Sequence, residues 1–68
     1  MRAMKIKKSL EVAISNAEQM SRDHPKIIYY VMDKKGKRAI VHSSAWCYRE
    51  RILDNYHLVA KYLNGKEI

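Results

Sequence analysis

The chain has 68 residues, a formal net charge of +7 and 47% hydrophobic residues, with two glycines, one proline and one cysteine. That length leaves room for one small core and no second domain, and the apolar content excludes a disordered chain. A lone Cys47 excludes an internal disulfide, and no apolar run approaches the roughly 20 residues that span a bilayer.

The N-terminus, Met1-Arg2-Ala3-Met4-Lys5, lacks the apolar stretch of a secretory signal, so the expected location is the cytoplasm, with no membrane partner. Residues 1–8 contain Arg2, Lys5, Lys7 and Lys8 and no acid, and are read as a basic arm ahead of a single domain over 9–68.

From Ser9, the residues Leu10, Ala13, Ile14, Ala17 and Met20 recur at three- and four-residue steps, with Glu11, Ser15, Glu18 and Arg22 opposite. This pattern predicts an amphipathic helix over about 9–23. Ser9 is the expected N-cap, and Pro25 sets the limit at the far end. Lys26–Met32 reads Lys-Ile-Ile-Tyr-Tyr-Val-Met, rich in β-branched and aromatic side chains, and predicts a strand. Asp33-Lys34-Lys35-Gly36 then reads as a turn, and Arg38–His42 as a second, antiparallel strand.

The first strand is apolar on both faces, with Ile27, Tyr29 and Val31 on one and Ile28, Tyr30 and Met32 on the other. It therefore expects a strand on each side and covering above and below. Ser43-Ser44 supplies caps for a second helix through Ala45, Trp46, Tyr48, Ile52 and Leu53. Beyond it two continuations compete. In one, the helix stops at Asp54-Asn55 with Asn55 as the left-handed closing residue, and His57–Leu63 forms a third strand before an Asn64-Gly65 turn. In the other, Ile52, Tyr56, Val59 and Leu63 continue a long C-terminal helix, giving α-β-β-α. The need of the first strand for a second neighbour favours the former. The expected fold is α+β, in the order α-β-β-α-β, with a three-stranded sheet of order 2-1-3 packed against two helices.

The charge has two foci. Residues 1–8 carry +4 and residues 33–38 carry +3, which together account for the whole excess; the other residues hold six bases and six acids. Focused charge on an otherwise balanced surface points to a polyanionic partner, either nucleic acid or an acidic protein. Lys34, Lys35, Lys37 and Arg38, with Lys5, Lys7 and Lys8, are the candidate phosphate contacts. The plainer account is that lysines in a turn keep a hairpin soluble.

Five tyrosines and Trp46 with no phenylalanine suit half-exposed positions, because each hydroxyl needs a partner or water. If both helices cover one face of the sheet, Ile27, Tyr29 and Val31 are left on the other as a homodimer interface. Cys47 with His42 and His57 is the one grouping that resembles a thiol nucleophile with its base or, with His24, a metal site. It lacks any paired ligand spacing, and neither a metal nor a cofactor is expected. The expected function is non-enzymatic binding, through the basic turn and arm to nucleic acid or through a docking surface to a protein.

Overall fold

The structure, a computed structural model, describes residues 8–35 and 38–68, with Lys8 described through its backbone alone. The elements are α1 (Lys8–Asp23), β1 (Tyr29–Asp33), β2 (Ile40–Ser43), α2 (Ser44–Arg49), a 3₁₀ turn (Ile52–Asp54), β3 (His57–Leu63) and β4 (Lys66–Glu67). They build an α+β domain on one antiparallel sheet of order β2-β1-β3-β4. The central place of β1 follows from its composition: Tyr29, Tyr30, Val31 and Met32 are all buried, so both faces must be covered and both edges paired.

The two helices lie on opposite faces of this sheet. Val31 packs with Ala13 and Ala17 of α1 and with Tyr62, joined by Leu10, Ile14, Val41 and Ala60. Tyr30 and Met32 pack with Cys47 of α2, joined by Ile40, Trp46, Ile52, Leu53 and Tyr56. Strand alternation sends neighbouring side chains of β1 to opposite sides, and each side has its own helical cover. Met32 and Val31 are fully buried, and each such side chain contributes roughly 1.5–3 kcal/mol of transfer free energy.

Several expectations change in detail. The first strand begins at Tyr29 and not Lys26, because the chain turns after Pro25, with Ile27 N–H donating to the His24 carbonyl at 3.0 Å. β2 begins at Ile40, which leaves Arg38 in the connecting loop. Ser43 does cap α2, its hydroxyl accepting from Trp46 N–H at 3.2 Å, but α2 stops at Arg49. The left-handed residue is Arg51, at φ 56°, and not Asn55, at φ −123°. The long C-terminal helix does not form, since His57–Leu63 pairs with β1 as a strand. Its register shifts between Val31 and Met32, so that Ala60 and Leu58 face them and Val59 is the extra residue of a bulge.

A fourth strand adds to the three expected. Asn64 and Gly65 have φ of 52° and 82°, the signs of a type I′ hairpin turn, and they reverse the chain into Lys66–Glu67. Gly65 also donates its N–H to the buried Ser21 hydroxyl at 2.8 Å, which ties this hairpin to α1.

The proposed homodimer face needs correction. Because the helices take opposite faces, α1 covers the side that holds Tyr29 and Val31. Val31 is 0% and Tyr29 7% exposed, and only Ile27, in the turn before β1, reaches solvent. Among the described residues no helix is long and apolar enough to cross a membrane.

Candidate nucleic-acid interface

The connectivity brings the start of α1 and the β1–β2 loop to one end of the sheet. α1 begins at Lys8 and runs away from that end; β1 returns to it at Asp33, and the loop that follows carries Lys34, Lys35 and Arg38. The two ends meet through Ser9. Helix α1 starts one residue earlier than the expected cap, so the Ser9 hydroxyl is free to accept a long hydrogen bond from Ala39 N–H, at 3.4 Å. Ser9, Arg38 and Ala39 also line one groove. The start of α1 therefore lies beside the β1–β2 loop, although 30 positions separate Ser9 from Ala39 in the sequence. The positive end of the α1 dipole lies at this same pole.

Four of the seven candidate phosphate contacts, Lys8, Lys34, Lys35 and Arg38, fall among the described residues. Lys34, Lys35 and Arg38 all lie on the β1–β2 loop, with Lys35 and Arg38 exposed and Lys34 half-buried. Lys34 donates its N–H to Asp33 Oδ1 at 2.9 Å, and its ammonium sits 5.6 Å from the centre of the Tyr56 ring. Lys8 opens α1. Lys5 and Lys7 of the arm, and Lys37 of the loop, lie outside the described residues.

Two grooves of about 550 Å³ each flank the loop. The first, between α1 and β2, holds Arg38 with Ser9 and Asn16 above an apolar floor. The second is lined by Lys34 and Lys35 together with Asp33, Asp54, Asn55, Tyr56 and His57. Asn55, Tyr56 and His57 were not expected in the site. The antiparallel pairing that sets His57 opposite Asp33 brings them there, and it could have been anticipated once β3 was paired with β1.

Of the thiol-centred grouping, Cys47 lies against the backbone of His42. Cys47 is fully buried, its Sγ 3.5 Å from Met32 Sδ and 3.9 Å from the His42 carbonyl, and burial pushes its pKa up. A thiol so placed keeps its proton, which is the reverse of what a nucleophile or metal ligand needs. The His42 ring stacks on Trp46 with centroids 3.8 Å apart, and burial lowers its pKa. No group of three histidine, cysteine or carboxylate side chains suited to a metal occurs among the described residues. The tyrosines divide as amphipathic residues do: Tyr30 is buried, and its hydroxyl lies 3.1 Å from that of the exposed Tyr48. That hydrogen bond, followed by burial, pushes the Tyr30 pKa up to about 12.

No family model, curated protein or solved structure matches this chain.

Proposed function

We propose that this protein is a small non-enzymatic module that binds nucleic acid through the pole formed by residues 1–8 and the loop 34–38. The observation that supports this reading is the approach of the loop to the start of α1, through Ser9 and Ala39, which sets the described cations Lys34, Lys35 and Arg38 at the end of the sheet where α1 begins. On such a pole each lysine or arginine that neutralises a phosphate releases condensed counterions, so affinity accrues with little dependence on sequence.

The flanking grooves add what a solvated lysine turn lacks. Tyr56 presents a half-buried ring beside Lys34 and Lys35, with Asn55 and His57 as hydrogen-bonding neighbours. Such a grouping suits a single strand, whose bases are free to reach an aromatic side chain while the backbone tracks the lysines. An acidic protein offers carboxylates to the same bases, but it makes no use of the ring. The protonated, buried Cys47 supports a binding role over catalysis and fits a reducing, cytoplasmic setting.

The test is charge reversal at two described positions. Lys34→Glu with Arg38→Glu should weaken binding of the nuclease-treated protein to short single strands about tenfold or more at low salt. Unchanged affinity, or capture of one acidic protein in place of nucleic acid, would refute the assignment.

A further inference from the structure

We propose that β2 is the contact between two copies of this chain, paired antiparallel about a two-fold axis at Val41. The sheet has two edges, and they differ. β4 is two residues long, exposed and charged, Lys66–Glu67, which is how an edge is kept from pairing. β2 reads Ile-Val-His-Ser, with no charge, no proline and no bulge. One edge is blunted and the other is left able to pair.

The hydrogen-bond phase of β2 follows from its continuation. Ser44 N–H donates to the Ile28 carbonyl at 2.8 Å, so in the ladder with β1 the inward-bonding residues of β2 are His42 and Ile40. Val41, midway between them, directs its N–H and carbonyl outward. A second copy centred on Val41 meets them with the same two groups, and sets Ala39 opposite Ser43 and Arg38 opposite Ser44. No like charges face each other across that register.

The surroundings fit this occupant. The side of α1 that overlooks β2 presents Ser9, Val12, Asn16 and Met20, all uncharged, whereas the rest of its exposed surface carries Glu11 and Arg22. Val12 is 49% exposed, a large apolar side chain above an open groove of about 550 Å³. A chain of net charge +7 repels its own copy unless the contact separates the charged segments; here the basic loop leads into β2, and the antiparallel register about Val41 sends the two copies' loops to opposite ends of the paired strands. A two-fold axis normal to the sheet places both α1 helices on the same face. Val12 and Val41 of each copy then enter the other's groove. Since β4 is blocked, pairing stops at two chains and does not continue into a filament.

Sedimentation equilibrium of the purified protein, over its accessible concentration range, tests this. Two variants probe the contact while sparing the fold, as checked by circular dichroism. Val12→Glu places a carboxylate in the groove from an exposed position, and Val41→Pro removes the outward N–H while leaving the inward ladder. The wild type should approach twice the chain's 8.0 kDa, and both variants should dissociate at concentrations at least tenfold higher. A mass that stays at 8.0 kDa throughout would overturn the proposal, leaving the edge to a strand of another protein. A dimer unaffected by either substitution would also overturn it. Neither substitution alters a candidate phosphate contact, so nucleic-acid binding by the basic loop is measured separately on the same variants.

Discussion

Ser21 shows how much one small side chain can fix. It is fully buried on α1; its hydroxyl donates to the Glu18 carbonyl at 3.1 Å and accepts from Gly65 N–H at 2.8 Å. Ser21→Ala removes the acceptor of the Gly65 N–H, and should cost about 1–3 kcal/mol in chemical denaturation. His42 acts through its protonation. Burial lowers its pKa in the folded chain below the ordinary 6.5, so just below that value the unfolded chain binds more protons than the folded one. The stability contribution is complete above about pH 6.5 and is lost as the pH falls through it. Thermal melting between about pH 7.5 and about pH 5.5 should therefore show a falling midpoint. His42→Phe, which keeps a ring on Trp46, should flatten that fall, and an unchanged slope would remove His42 as its source.

At the level of elements, α2 is short and depends on its cap. Its six residues follow Ser43, whose hydroxyl meets Trp46 N–H, and Trp46 and Cys47 both belong to the core on that face. Ser43→Ala should cost about 1 kcal/mol, read as a lower denaturation midpoint with an unchanged slope. The cap was legible in the Ser43-Ser44 pair, as α1 was in its apolar spacing and β3 in the need of β1 for a second neighbour. The end of α2 was not legible. Arg51 adopts a left-handed conformation that the sequence assigns more readily to Asn55, and the core contacts of Ile52 and Leu53 outweigh that local preference. The fourth strand was open to view in Asn64-Gly65, a strong two-residue hairpin signal, but Lys66-Glu67 after it has no strand-like composition. The side chosen by each helix was not legible either, since a strand apolar on both faces accepts a cover on each.

At the scale of the whole molecule, the described cations of the β1–β2 loop lie at the end of the sheet where α1 begins. Composition located the two charge foci; it could not say that the loop returns to the start of α1, because that depends on α1 and β1 running in opposite senses and on the contact of Ser9 with Ala39. The grooves beside the loop, with Tyr56 and Arg38, likewise exist only once β3 and α1 have docked. The most direct measurement is the affinity of the nuclease-treated protein for a short single strand across a salt series. If the two foci act as one site, log K should fall linearly with log salt at a slope that implies about four or more neutralised phosphates, and the loop variant should lower that slope. A slope implying about one phosphate, or no binding at low salt, would contradict the account.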